Sequence, residues 1–141
     1  MIEINNLTTN SVDENFLKKI AKIVLEEEKS SESNISLAFV GQGRMREINK
    51  RYRGKNKTTD VLSFPESKVS FNKFKIGPTQ KIEGLGEIII CLREIKKNAK
   101  KFNSSFEKEL AKVLIHGILH LLGYEHETMQ EKEENYLNKV I

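Results

Sequence analysis

The chain contains three histidines, His116, His120 and His126, and all three lie within one short segment near its C-terminus. His116 and His120 are four residues apart in a segment, residues 106–122, whose apolar density and lack of proline predict a helix, so both imidazoles project from one face. A continuous helix would turn His126 away by about 240°. Gly123 instead predicts that the helix ends first, because glycine adopts a positive φ at little steric cost and lets the chain fold back. His126 can then return as a third ligand.

Three neutral imidazoles with an open fourth position are typical of catalytic zinc, whereas structural zinc is normally held by four protein ligands, often thiolates. The single cysteine, Cys91, is distant in sequence, and we expect it to be a small buried apolar residue. The alternative is that the histidines are ordinary helix and turn residues. The specific spacing favours a metal site. We therefore predict one Zn²⁺ per chain, held by His116, His120 and His126.

Gly117 limits the chemistry that such a site can perform. The histidine spacing is that of the metzincin zinc peptidases, but those enzymes carry a glutamate where this chain has Gly117. That glutamate is the general base that activates the zinc-bound water. Glycine cannot replace it, so peptide hydrolysis by this mechanism is disfavoured.

The segment 116–126, HGILHLLGYEH, resembles the signature of the YbeY family of bacterial metal-dependent endoribonucleases and rRNA maturation factors. Residues 48–55 with 58–65 resemble a second block of that family, and residues 85–90 a third. These blocks cover the chain from about residue 35 to its end, in the family's order. Glu125 and Glu87 stand where the family usually has aspartate.

The resemblance implies a single-strand-specific endoribonuclease that matures the 3′ end of small-subunit rRNA and acts in ribosome assembly and quality control. It also assigns catalytic roles to His116 and Arg53. A guanidinium can bind phosphate in a bidentate manner, which a lysine cannot do. From the residues alone, an arginine at the C-terminus of its helix is the simpler interpretation of Arg53. The nucleophile stays open between zinc-bound water and the RNA 2′-hydroxyl.

The implied partners are precursor rRNA, small-subunit ribosomal proteins and a ribosome-associated GTPase, and we expect no DNA. Asp60, Glu125 and Glu127 are candidates to hold a ligand histidine by its second ring nitrogen, or to act as general base. The sequence does not choose among them, and Asp60 is equally well explained as a turn cap beside Thr59.

The net charge of +4 results from 24 basic and 20 acidic residues, yet two runs are strongly basic. Such runs attract the phosphate backbone with little sequence preference. Since few aromatic residues are available to stack bases, we expect affinity to come mainly from charge. The RNA-binding candidates are Lys50, Arg51, Lys55, Lys57, Lys97 and Lys101.

The pattern of apolar residues predicts one α+β domain over residues 1–141, a small mixed sheet packed with helices and a zincin-like metal site on the central helix. Residues 66–83 are polar and lysine-rich and predict a mobile loop or hairpin. Serine-initiated capping boxes, at Ser11 and at Ser104, predict the starts of the first helix and of the histidine helix. The predicted strands are residues 2–6, 35–40, 60–64 and 85–92, and apolar residues alternate along the second of them. The other predicted helices run through Met45 to Tyr52 and over residues 93–101 and 131–141.

The chain lacks a signal-peptide pattern at its start and any apolar run of about 20 residues, which predicts a cytoplasmic protein that is not embedded in a membrane. Two other functions fit the same metal spacing. One is a metallohydrolase of another class, such as a peptidase or amidohydrolase, which Gly117 and the basic runs oppose. The other is a non-catalytic ribosome assembly factor in which zinc stabilises the Gly123 turn.

Overall fold

A computed structural model describes residues 2–65 and 84–141 of the chain. The predicted loop over residues 66–83 lies outside the described residues. The described part forms four strands and five helices in one small α+β domain, which confirms the predicted fold class. In chain order the elements are β1 (Ile2–Asn6), α1 (Glu14–Glu27), β2 (Ile35–Phe39), α2 (Gln42–Arg53), β3 (Val61–Pro65), β4 (Gly86–Ile90), α3 (Leu92–Lys101), α4 (Phe106–Leu121) and α5 (His126–Val140).

The sheet is mixed, with strand order β1-β2-β4-β3. β1, β2 and β4 are parallel, and β3 pairs antiparallel with β4 as an edge strand. The predicted strand at residues 35–40 is confirmed, but the alternation in its sequence does not correspond to one exposed face, because all five residues of β2 are buried. Helices cover both faces of this central strand.

Two apolar layers cover the two faces of the sheet. One face packs against α1, α4 and α5, with Leu37 and Ile88 in the contact. The other face packs against α2, where Met45 and Ile48 meet Ala38 and Ile89. α4 is the central helix, since it contacts α1, α3, α5, β3 and β4. The histidine-bearing helix is therefore packed against three other helices and two strands of the sheet.

Three predicted helix starts are wrong. The side chain of Asp13, not Ser11, caps α1 by accepting a hydrogen bond from the Phe16 amide. Ser105 caps α4, because the Ser104 amide already donates to Ala99 at the end of α3. The last helix begins at His126 rather than at residue 131. Within the described residues, no helix combines the length and apolarity needed to cross a bilayer.

Candidate metal centre

The turn after α4 brings the third histidine back to the first two. α4 ends with the two hydrogen bonds of a Schellman motif, from the Gly123 amide to the His120 carbonyl and from the Tyr124 amide to the Leu119 carbonyl. Gly123 has a φ of 97°, which confirms the predicted left-handed residue. α5 then starts directly at His126, so the third imidazole lies at the first residue of a helix.

The three imidazoles converge on one point. One ligand nitrogen from each of His116, His120 and His126 lies within 4.8 Å of the other two. The ring centroids are 4.5 Å apart for His116 and His120, and 5.3 Å apart for His120 and His126. This donor set suits a divalent transition metal that accepts imidazole nitrogen, and zinc is the commonest such ion. The three histidines can therefore hold one metal ion.

Glu133 holds His116 from the side opposite the cluster. Its Oε1 atom lies 2.5 Å from Nδ1 of His116, so Nδ1 is engaged and Nε2 stays available for a ligand bond. A carboxylate on the second ring nitrogen fixes the orientation of a metal-binding histidine and raises its basicity. Sequence reasoning missed this residue. Its partner His116 is 17 residues away along the chain, on another helix, so no local spacing indicates the pair.

Burial lowers the pKa of His120 below its ordinary value of 6.5, and the nearby His116 and His126 lower it further. The carboxylate of Glu133 opposes this effect, whereas the guanidinium of Arg53 adds to it. A lower pKa keeps the imidazole neutral at pH 7, and only the neutral form can bind a metal. The environment of His120 thus favours the ligand form.

Gly117 packs the histidine helix closely against the sheet. A Cβ atom on this residue would lie 3.0 Å from Cδ1 of Ile88 and 3.2 Å from its Cγ2, closer than ordinary van der Waals contact. A larger residue at position 117 would require the side chain of Ile88 to move by a few tenths of an ångström. The glycine thus allows α4 to lie close to β4.

Arg53 and the histidines share one cleft. Its volume is about 300 Å³, and Arg53, Lys55, Lys57, His116 and His120 are among its lining residues. Nη2 of Arg53 donates to the Ser63 carbonyl at 3.5 Å, and its guanidinium carbon lies 6.0 Å from the centroid of the Phe64 ring. The cleft follows edge strand β3, where the C-terminal ends of α2 and α4 approach each other. Among the described residues that line it, none is acidic.

Two hydrogen bonds from side chains of α2 hold the basic loop that follows this helix. Nδ2 of the buried Asn49 donates to the Lys57 carbonyl at 2.9 Å, and Nε of Arg46 donates to Oδ1 of Asn56 at 2.9 Å. Neither Asn49 nor Arg46 was singled out from the sequence. The loop residues Lys55 and Lys57 line the cleft, whereas the helix residues Lys50 and Arg51 are exposed beside it.

None of the three acidic candidates predicted from the sequence, Asp60, Glu125 and Glu127, lines the cleft. Asp60 accepts hydrogen bonds from Asn98 at 3.3 Å and from the Thr59 hydroxyl at 3.4 Å, the contacts expected of a turn residue. Glu125 is exposed at the N-cap position of α5, and Glu127 is exposed in its first turn. The carboxylate on a ligand histidine belongs to Glu133. Cys91 is free and buried, as predicted.

A second acidic residue, Glu28 at the end of α1, anchors the segment that leads to His126. Its carboxylate accepts hydrogen bonds from the Tyr124 hydroxyl at 2.5 Å, from the Tyr136 hydroxyl, and from Lys132 at 3.1 Å. Burial raises the pKa of Glu28, but these three hydrogen bonds outweigh it and leave the pKa below its ordinary value of 4.5. Because Tyr124 is two residues before His126, this cluster ties the turn to α1 and α5.

Comparison with known proteins gives a consistent result. The family model described as "Endoribonuclease YbeY" matches residues 3–140. A protein named Endoribonuclease YbeY from Thermodesulfovibrio yellowstonii is 42% identical and covers 87% of this chain and 70% of its own length. One of the same name from Bacillus subtilis is 35% identical, with 91% and 84% covered.

The same comparison extends to solved structures. A solution structure of a Thermotoga maritima protein matches with a TM-score of 0.67 and 30% identity, and the match covers 99% of this chain and 89% of that one.

Proposed function

The chain belongs to the YbeY endoribonuclease family, and from that premise we propose that it is a zinc-dependent endoribonuclease that cuts single-stranded precursor rRNA. One observation carries this proposal: Arg53, two lysines and two of the clustered histidines line one cleft. A cationic cleft beside a metal centre fits a polyanion, because phosphodiester cleavage increases the negative charge on the non-bridging oxygens.

Each part of the cleft has a separate task. Lys55 and Lys57 attract the RNA backbone, and Lys50 and Arg51 extend the positive surface along α2. Arg53 binds the reacting phosphate. His116, His120 and His126 hold the metal ion, and Glu133 keeps Nε2 of His116 directed at it. When bound, zinc acts as a Lewis acid that strengthens a nucleophile near neutral pH and offsets phosphate charge.

Gly117 argues against a peptidase. With no acidic residue among the described lining residues, the cleft lacks the carboxylate on which a zinc peptidase relies to move protons. RNA carries its own hydroxyl next to the reacting phosphate, so it needs less from the protein. We propose small-subunit rRNA 3′-end maturation in the cytoplasm as the setting, with small-subunit proteins and a ribosome-associated GTPase as partners.

The proposal is tested by single-turnover cleavage of a precursor small-subunit rRNA fragment. Protein is treated with a chelator and then supplied with zinc, and the ends of the products are identified. We expect about one zinc per chain, cleavage that disappears with the metal, and recovery on its return. A 2′,3′-cyclic phosphate end would identify the 2′-hydroxyl as nucleophile.

Full cleavage by metal-free protein would contradict the proposal. Zinc-loaded protein that binds the RNA without cutting it, alone or on small-subunit particles, would favour a non-catalytic assembly factor.

A further inference from the structure

The exposed face of α3 is a continuous basic stripe. Its five cations follow the spacing i, i+3, i+4, i+7, i+8, while Leu92, Ile95 and Ala99 on the opposite face are buried. With Glu94 as its single acid, α3 carries a net charge of 5 − 1 = +4, equal to that of the whole chain. The stripe consists of Arg93, Lys96, Lys97, Lys100 and Lys101.

This arrangement differs most clearly from that of α5, where Lys132 pairs with Glu28 at 3.1 Å and Lys139 pairs with Glu27 at 2.5 Å. On α3, Lys97 pairs with Glu94 at 3.4 Å, but no other stripe residue has an acidic partner within residues 2–65 and 84–141. Like charges three or four residues apart destabilise a helix. A stripe of repelling cations indicates an anionic partner.

An exposed aromatic ring lies at the end of the stripe. Phe102 is 60% exposed, and Nζ of Lys101 lies 5.5 Å from the centroid of its ring. It is the most exposed large apolar residue of the described chain. Aromatic rings beside cations are the stacking platforms of proteins that bind single-stranded nucleic acids.

The stripe also adjoins the cleft. Lys97, Asn98, Lys100 and Lys101 line a shallow groove of about 510 Å³, together with Glu94, which pairs with Lys97. Asn98 donates to Asp60, and the neighbouring residue Thr59 lines the catalytic cleft. The hydrogen bond between Asn98 and Asp60 thus connects the groove on α3 with the turn that borders the cleft along β3.

We propose that the basic stripe of α3, together with Phe102, binds single-stranded RNA that flanks the cleavage site. The cleft holds the nucleotides next to the cut, and the stripe binds the backbone beyond them while Phe102 stacks against a base. This surface extends the substrate-binding site that the proposed function requires. Its loss weakens the binding of long RNA and leaves the binding of short RNA unchanged.

The test compares two triple variants that remove the same charge from exposed helix faces. One is Lys97→Ala/Lys100→Ala/Lys101→Ala on α3, and the control is Lys18→Ala/Lys19→Ala/Lys22→Ala on α1. Each zinc-loaded protein is titrated with labelled single-stranded RNA of about 4 and about 20 nucleotides, lengths on either side of typical single-strand sites. Fluorescence anisotropy is read while the RNA is intact, and thermal unfolding verifies that each variant is folded.

For the α3 variant we expect a loss of about tenfold or more in affinity for the long RNA, and a salt-dependence slope smaller by about 2, because each phosphate contact contributes about 0.7. Phe102→Ala should lower the same affinity about fivefold without changing the slope. The α1 control should match the wild type on both RNAs.

Equal affinities of the α3 variant and the α1 control for long RNA would overturn the inference while leaving the proposed nuclease intact. An α3 variant that loses affinity only for protein-containing ribosomal particles would also overturn it, because the stripe would then bind protein. A wild type that neither binds nor cuts RNA would overturn both proposals.

Discussion

The two sides of the histidine cluster differ in charge and in the way they are built. On the side of α2 and β3, a helix with five cations and one acid ends in Arg53 and the loop of Lys55 and Lys57. On the side of α5, a helix with four acids and two lysines places Glu133 on His116. We infer that the first side binds RNA and that the second holds the metal. They are called the RNA side and the metal side below. The division predicts that substitutions on the two sides impair different steps.

His120→Ala removes a ligand that both sides depend on, so it should have the largest effect. We expect zinc affinity to fall by about a thousandfold or more, since the binding free energy is shared among three imidazoles. RNA cleavage should become undetectable. Zinc content after gel filtration and the single-turnover rate check the two effects, and a variant that cuts at the wild-type rate would exclude the metal centre as the reacting site.

Arg53→Ala acts on the RNA side alone. Loss of a preorganised charge at the reacting phosphate should lower the cleavage rate by about 10²- to 10³-fold. Zinc affinity should stay within about twofold, because no ligand or ligand partner changes and Arg53 has the weakest influence among the charges that shift the pKa of His120. Arg44→Ala, on the exposed start of the same helix, removes equal charge and serves as the control. Equal losses in the two variants would show that only the net charge of α2 matters.

Glu133→Gln acts on the metal side alone. An amide cannot stabilise the His116 ring as a carboxylate does, so zinc affinity should fall about 10- to 100-fold. Affinity for RNA should not change. Chelator competition measures the first quantity, and Glu134→Gln, a neighbouring exposed acid, is the control. Unchanged zinc affinity in Glu133→Gln would remove this residue from the metal centre.

Glu28→Gln should affect stability more than catalysis. Glu28 is 9% exposed and accepts three hydrogen bonds, so the substitution should lower the free energy of unfolding by about 1.5 to 3 kcal/mol. The pKa of Glu28 is depressed in the folded state, so this stabilisation is present above about pH 4.5 and is lost as the pH falls through the folded-state pKa.

Urea unfolding from pH 7 to pH 3 measures this effect, with the exposed Glu26→Gln as control. The difference in unfolding free energy between wild type and Glu28→Gln should shrink toward acid pH. A difference independent of pH would show that the carboxylate charge is not responsible.

Lys55→Ala/Lys57→Ala should have the smallest effect. Removing two contacts to phosphate should weaken binding of single-stranded RNA several-fold and reduce the salt slope by about 1.4. The cleavage rate at saturating RNA should stay near that of the wild type. A lower saturated rate would place these lysines in the chemical step, alongside Arg53.

The sequence was most informative about the metal side's ligands and least informative about their support. The spacing of His116 and His120 and the glycine at 123 predicted the convergence, because helix periodicity and backbone sterics act locally. Glu133 and Glu28 escaped prediction because their partners are 17 and 96 residues away along the chain. Contacts between distant segments leave no local pattern.

The strands show the same limit. Strands β2, β3 and β4 were predicted nearly at their observed bounds, but the alternation in β2 did not indicate that all five of its residues are buried. Whether one or both faces of a strand are covered depends on the helices that pack on it. Likewise, Ser11 and Ser104 matched the capping pattern, yet Asp13 and Ser105 form the caps, because the amide of Ser104 is used to end α3.

The division between the two sides is tested most directly by titrating zinc into metal-free wild type, Glu133→Gln and Arg53→Ala while the single-turnover cleavage rate is recorded. We predict that Glu133→Gln reaches nearly the wild-type rate at about 10- to 100-fold higher zinc. Arg53→Ala should saturate at the wild-type zinc concentration with a rate that stays low. The opposite pattern, in which zinc restores Arg53→Ala and fails to restore Glu133→Gln, would contradict the account.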